Sequence, residues 1–245
     1  MTEPSALELS LVLPAYNEAG RIEHTLARWI EALDHLGIAH EIIVIDDGST
    51  DGTGQIVETV AGRHASLRVI HQANQGHGPA VISGYRAARG SWVFQVDADD
   101  EVGPGPFPEF WRERADWDLL LGVRQGRRQS APRALVSWSL RRAVAVLVGR
   151  NLRDVNSPYR LIRRDVLEAL LSAMPASSFS PNALMSALGA ARGLRVGERD
   201  VPLVGGRESG ALRHIRLLRM AVRSFVELVA AVRADRGRAQ GPATR

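Results

Sequence analysis

Asp97-Ala98-Asp99 closes the apolar run Trp92–Val96. In an extended segment alternate side chains share a face, so Asp97 and Asp99 aim the same way. Two carboxylates placed like this repel each other unless a cation lies between them. Hard oxygen ligands suit Mg²⁺ or Mn²⁺, and either ion can bridge to phosphate oxygens. Asp100 and Glu101 follow at once, and Glu101 offers a third oxygen ligand. Asp46-Asp47-Gly48-Ser49 is a second polar group after an apolar run, where a carboxylate can accept hydrogen bonds from a base or ribose. Pro14-Ala15-Tyr16-Asn17-Glu18 is a third. There Tyr16 can stack on a base and Glu18 can bond a sugar hydroxyl. Asn74-Gln75-Gly76-His77-Gly78 supplies a loop whose backbone can approach a ligand closely, with His77 as its one metal-ligand type. Each group has an ordinary counterpart: a solvated acidic turn, a capped helix entry, a loop histidine in water. Their common placement at the ends of apolar runs is what unites them.

The elements that must position these groups are legible in the periodicity. Leu9–Leu13, Glu41–Ile45, Leu67–Ile70 and Ser91–Val96 are short apolar runs with the look of buried strands. Between them Arg21–Leu36, Gly52–Val60 and Pro79–Ala88 carry helical spacing. Continuous apolar strands alternating with helices predict an α/β fold with a mostly parallel sheet covered on both faces. Ligands of such sheets bind beyond the carboxyl ends of the strands, where the polar groups lie. Further on, Gly103–Pro108 is a loop entering a helix, and Asp118–Gly122 a strand. Ala134–Val148, Arg164–Leu171 and Pro181–Ala191 read as helices, with strands at Arg160–Ile162 and Leu194–Val201. A last helix is expected from Ala211 to Arg233, with a frayed end after Ala234. The expected organisation is one domain over residues 1–210, with a nucleotide-binding half (1–101) and an acceptor half (102–210). A helix and tail at 211–245 follow.

Composition narrows the chemistry. The 245 residues include no Cys, which excludes disulfide scaffolds, thiolate zinc sites and Cys nucleophiles. The first residues lack the basic and apolar stretches of a signal peptide, and no run of about 20 uncharged apolar residues exists to span a bilayer. Charge is segregated: residues 1–118 hold 8 Arg against 19 Asp and Glu, a net −11, and residues 119–245 hold 23 Arg against 8, a net +15. A basic half suits an anionic partner such as phosphate, an acidic membrane surface or nucleic acid. No nucleic-acid recognition motif accompanies the arginines. In the last helix Ile215, Leu218, Val222, Phe225, Val229 and Val232 recur at three or four residues, with Arg213, Arg216, Arg219 and Arg223 opposite. That is a basic amphipathic helix, suited to an anionic interface or to docking on its own domain.

Taken together, the segments Leu9–Glu18 (LSLVLPAYNE), Ile43–Thr53 (IVIDDGSTDGT), Asn74–Gly90 and Asp97–Asp99 resemble glycosyltransferase family 2, whose members have the nucleotide-binding, Rossmann-like GT-A fold. The resemblance implies that Pro14, Tyr16, Glu18, Asp47 and Asp97 bind the nucleotide. It implies that Asp97 and Asp99 hold the diphosphate through Mg²⁺ or Mn²⁺. The second half is similar to the polyprenyl-phosphate (dolichyl-phosphate) mannose and glucose synthases. Gly122-Val-Arg124, Arg133 with Ser137, Asp154-x-x-Ser157-x-Tyr159-Arg160 and Arg207-Glu-Ser-Gly210 carry that likeness. It implies that Arg124, Arg133, Ser137 and Arg207 contact the acceptor and donor phosphates. Glu101 stands where that subgroup often has Gln.

The implied reaction transfers a hexose from a donor of the GDP-mannose or UDP-glucose type to a polyprenyl phosphate, at the cytoplasmic face of a membrane. A lipid phosphate is already ionised at neutral pH and needs no general base. A hydroxyl acceptor would need one, and Asp154 is the candidate. Asp99 and Asp154 are therefore the candidate catalytic carboxylates. The alternatives are a glycosyltransferase with a soluble hydroxyl acceptor and a relative that binds a nucleotide sugar without turnover.

Overall fold

The computed structural model describes residues 6–126, 131–203 and 214–239, without the side chains of 131–134, 136, 137, 140, 214–221, 238 and 239. The elements run β1 (Leu9–Ala15), α1 (Ile22–His35), β2 (His40–Asp46), α2 (Thr53–Ala61), β3 (Leu67–His71), α3 (His77–Ala87), β4 (Trp92–Gln95) and α4 (Phe107–Glu113). Then come β5 (Leu119–Gln125), α5 (Ala131–Val148), β6 (Arg160–Arg163), α6 (Arg164–Leu171), α7 (Pro181–Ala191), β7 (Val196–Pro202) and α8 (His214–Ala239). One seven-stranded sheet has the order β3-β2-β1-β4-β6-β5-β7. Only β6 runs against its neighbours. The carboxyl ends of β1, β2, β4 and β5 and the start of β6 therefore share one edge. The chain builds outward from β1 to β2 and β3, then returns to β1's other side at β4, which opens a crevice at that edge.

Strand alternation sorts the core onto two faces. Leu9, Leu11, Leu13, Ile42 and Val44 pack with α1, α2 and α4, while Val12, Ile43 and Ile45 pack on the α3 side. On the first face Trp29, Phe94, Phe107, Phe110 and Tyr159 form an aromatic cluster, with Phe94 and Tyr159 edge-to-face at 4.7 Å. Phe94 precedes Asp97 by three residues, so this packed platform holds the end of β4 still.

Several boundaries differ from the sequence reading. Pro14 does not end β1, which continues to Ala15. Val96 N–H donates to Val12 O and Asp47 N–H to Ala15 O, so Pro14 faces β4, past the last β1–β4 pair of Val12 with Gln95. Its missing N–H costs no ladder bond there. α3 starts at His77, because Pro79 fits the first turn, where helical N–H groups lack partners anyway. α8 does not fray after Ala234 but continues to Ala239. Arg192 pairs with Asp235, and Arg236 donates to Leu147 O, tying those last turns down.

The expected apolar stripe of α8 divides. Ser224, Leu228 and Val232 are buried, and Leu228 and Val232 join the core that holds Val144 and Leu184. Val222 and Phe225 face solvent, with Val226 beside them. Ile215 and Leu218 lie outside the described side chains. No helix among the described residues is long and apolar enough to cross a membrane.

Candidate active site

The loop after β1 and the loop after β2 are knitted together. Asn17 N–H donates to Ser49 Oγ (3.0 Å), and Thr50 N–H returns to Asn17 Oδ1 (2.8 Å). Glu18 N–H donates to Thr53 Oγ1 (2.9 Å) and Ala19 N–H to Asp51 Oδ2 (3.0 Å). Asn17 takes a positive φ of 55°, which turns the chain sharply after Tyr16. Tyr16 is left 48% exposed, available for stacking.

Of the two adjacent aspartates, Asp46 accepts Ser49 N–H (3.0 Å) and His71 Nδ1 (2.9 Å). Asp47 is buried and holds the loop before α3: Oδ1 accepts from Gln72 Nε2 (2.7 Å) and Gln75 N–H (2.9 Å), and Oδ2 from Gly76 N–H (2.8 Å). Oδ2 keeps capacity for one further donor. Gly48 (φ 72°) makes this approach feasible, since a Cβ there would lie 2.8 Å from Asn74 N.

β4 delivers Asp97 and Asp99 to the same edge. Asp97 Oδ1 lies 3.3 Å from Gln95 Nε2 and 3.7 Å from His77 Nε2. Asp99 accepts Glu101 N–H at 3.1 Å. Burial, then the charge of Asp97, and with it those of Glu101 and Glu18, push the Asp99 carboxyl up to about 6. Asp100 (φ 56°) turns the other way and pairs with Arg28 at 2.5 Å. Arg124, near the end of β5, brings a positive charge to this edge, where Arg21 Nη1 also donates to Asp99 O at 3.2 Å. Arg124 Nε and Nη2 bond Asp154 Oδ2 (2.8 Å) and Oδ1 (3.2 Å), and its Nη1 reaches Glu101 Oε2 (3.3 Å).

The structure thus brings together Asp97, Asp99, Glu101, Arg124 and Asp154. The expected ligand trio of Asp97, Asp99 and Glu101 is not preassembled: among the described residues no three His, Cys, Asp or Glu side chains gather to hold a metal, and Glu101 is turned onto Arg124. The Asp97–Asp99 pair still fits Mg²⁺ or Mn²⁺, which bind through one or two carboxylates and take remaining oxygens from phosphate and water. Burial first, and the neighbouring Asp97 charge second, raise the Asp99 carboxyl. Asp154 has both oxygens engaged by Arg124, which makes it a positioning partner of that guanidinium. Arg133 and Ser137 belong to α5, but their side chains lie outside the described residues, as does Arg207.

Two buried polar residues lie beneath the site, Gln95 and Arg160, which pair in register across β4 and β6; Gln95 goes unremarked in the sequence, and Arg160 stands there in a motif with no role assigned. Arg160 donates to the carbonyls of Ser157 and Asn182 and so pins the segment that follows Asp154. The available signal is a polar residue inside one apolar segment, Gln95 in Trp92–Val96, and one opening another, Arg160 before Leu161 and Ile162.

The family model for glycosyl transferase family 2 matches residues 10–171. The chain belongs to glycosyltransferase family 2. An undecaprenyl-phosphate 4-deoxy-4-formamido-L-arabinose transferase from Pseudomonas paraeruginosa is 33% identical over 183 residues, 73% of this chain and 54% of that protein. The transferase of the same name from Klebsiella pneumoniae is 30% identical over 74% of this chain and 56% of its own length. The chain thus spans about half the length of these relatives. Among solved structures, glucosyl-3-phosphoglycerate synthase from Mycobacterium tuberculosis, in complex with Mn²⁺, UDP-glucose and phosphoglyceric acid, superposes with a TM-score of 0.69 at 21% identity, covering 92% of this chain and 79% of that one. Mannosyl-3-phosphoglycerate synthase from Rubrobacter xylanophilus gives 0.66 at 17% identity, covering 98% and 76%. These likenesses show the GT-A fold. The crevice between the β1 and β4 ends and the Arg124 end of β5 lie on one edge of the sheet.

Proposed function

We propose that this glycosyltransferase moves a sugar from a nucleotide sugar to a polyprenyl phosphate. Tyr16, Glu18 and Asp47 Oδ2 line the nucleoside end, with Pro14, the last residue but one of β1, beside them. Mg²⁺ or Mn²⁺ held by Asp97 and Asp99 would neutralise the charge that develops on the leaving diphosphate. Arg124, fixed by Asp154 and Glu101, places a second positive charge beside the reacting phosphates. The acceptor oxygen is a phosphate oxygen, already ionised, so Asp154 serves to orient Arg124 and takes no proton. Arg133, Ser137 and Arg207 complete the phosphate contacts in this reading.

The observation that carries the lipid acceptor is the location of exposed apolar side chains. Among the described residues, every exposed large hydrophobic except Tyr16 lies on α5 or α8: Leu135, Trp138, Val146, Val222, Phe225 and Val226. α5 follows β5 in the chain, and Leu135 and Trp138 lie in its first half. α8 packs on α5. Its Ser224 and Glu227 bond Ser180 and Phe179, in a loop that abuts α3 so closely that a Cβ on Gly78 would lie 2.1 Å from Ser178 O. The exposed apolar side chains thus gather on two helices packed against each other, with Arg142 and Arg223 exposed among them. An apolar surface fringed by arginine suits a bilayer with anionic headgroups. The experiment is an acceptor panel with polyprenyl phosphate, free polyprenol and soluble hydroxyl compounds. Transfer to the lipid phosphate alone supports the reading; transfer only to a soluble hydroxyl replaces it.

A further inference from the structure

Gln95 ends β4 and is fully buried. Burying a primary amide is costly unless its donors and acceptor find partners, so an apolar residue would sit there more cheaply. Both ends of this amide are used. Oε1 accepts the Tyr85 hydroxyl at 2.8 Å, and Nε2 donates to Asp97 Oδ1 at 3.3 Å. Tyr85 comes from α3 and is itself buried, and burial holds its phenol in the protonated, donating form. A carboxylate only accepts, so the amide must present its NH₂ to Asp97 and its oxygen to Tyr85. One orientation satisfies the whole chain Tyr85–Gln95–Asp97. Asp97 Oδ1 is thereby approached from inside the fold, while Oδ2 makes no hydrogen bond among the described residues.

We propose that Gln95, locked by Tyr85, is a positioning residue that aims Asp97 at the divalent cation bound with the donor diphosphate. This rests on the metal reading above. Outer residues that hydrogen-bond a ligating carboxylate set its direction, and their loss weakens metal affinity by about 10–100-fold. A Tyr85–Gln95 pair that merely stitched α3 to β4 would affect stability and leave metal affinity alone.

The test measures free Mn²⁺ by electron paramagnetic resonance as it is titrated into protein with UDP or GDP, whichever the wild type binds. Gln95→Met keeps the length of the side chain and removes the amide; Tyr85→Phe removes one oxygen and leaves the amide free to turn. The expected result is Mn²⁺ affinity about 10-fold weaker for Gln95→Met and severalfold weaker for Tyr85→Phe. Nucleotide affinity in chelator should stay unchanged in both. Should Gln95→Met not fold, Tyr85→Phe carries the comparison alone. Wild-type Mn²⁺ affinity in the variants overturns the proposal, and so does an equal loss of nucleotide affinity in chelator. A wild-type protein that binds nucleotide but no Mn²⁺ overturns the metal reading itself, a distinguishable failure.

Discussion

Asp99 is held in an unfavourable state that a cation would relieve. Its carboxyl is raised to about 6 from an ordinary 3.8, by burial first and then by Asp97, Glu101 and Glu18. Protonation therefore favours the metal-free fold: this contribution is full below the ordinary value and is lost as pH rises through about 6. Asp99→Asn should abolish turnover and yet raise the melting temperature of the chelator-treated protein at pH 7.5, by about 2–4 °C for each kcal/mol of repulsion removed. The wild type should gain stability between pH 7.5 and 5.5 relative to the variant. Scanning fluorimetry at both pH values checks this, and parallel pH profiles would contradict it. Arg124 gives a second prediction. A lysine can reach Asp154 or Glu101 but cannot bond both Asp154 oxygens and Glu101 at once. Arg124→Lys should lower kcat/KM about 10–100-fold, roughly 1.4–2.7 kcal/mol of transition-state stabilisation, with little change in nucleotide affinity. A kcat/KM within twofold of wild type would remove Arg124 from the phosphate site.

At the scale of elements, α5 and α8 are the helices proposed to meet the membrane. Trp138 is 54% and Phe225 47% exposed, so charging them should not disturb the core. Trp138→Glu with Phe225→Glu should reduce cosedimentation with anionic vesicles by at least about 10-fold, since two large apolar anchors of about 2 kcal/mol each are lost. Wild-type binding should also weaken with salt, because the arginine contribution is screened. Binding that ignores both the substitutions and salt would contradict the interface. The elements themselves were mostly legible: strand runs such as Glu41–Ile45 and the helices Arg164–Leu171 and Pro181–Ala191 follow from local apolar spacing. Partnership was not. The stripe of α8 reads as one face in the sequence, but which residues meet α5 and α7 depends on where the helix lands. Likewise the Asp-x-Asp pair is visible as spacing, whereas Glu101 turning to Arg124 needs the sheet order that brings β4, β6 and β5 together, and Tyr85 meeting Gln95 needs α3 packed over β4.

Across the whole molecule, charge and surface divide the labour. The acidic first half supplies the carboxylates around the donor crevice, and the arginine-rich second half supplies Arg124 and the helices flanked by exposed apolar side chains. A diphosphate leaving group and a phosphate acceptor both need cations, whereas a hydroxyl acceptor would need a free base, and Asp154 is committed to Arg124. In the proposed reaction the nucleophile is thus a phosphate on a lipid. The most direct measurement gives the purified protein Mn²⁺, a radiolabelled nucleotide sugar that it demonstrably binds, and either a polyprenyl phosphate or the same chain as a free polyprenol, and counts label in the lipid phase. The expected result is transfer to the polyprenyl phosphate and none to the polyprenol. Label passing instead to a soluble hydroxyl compound, with the polyprenyl phosphate ignored, would contradict it.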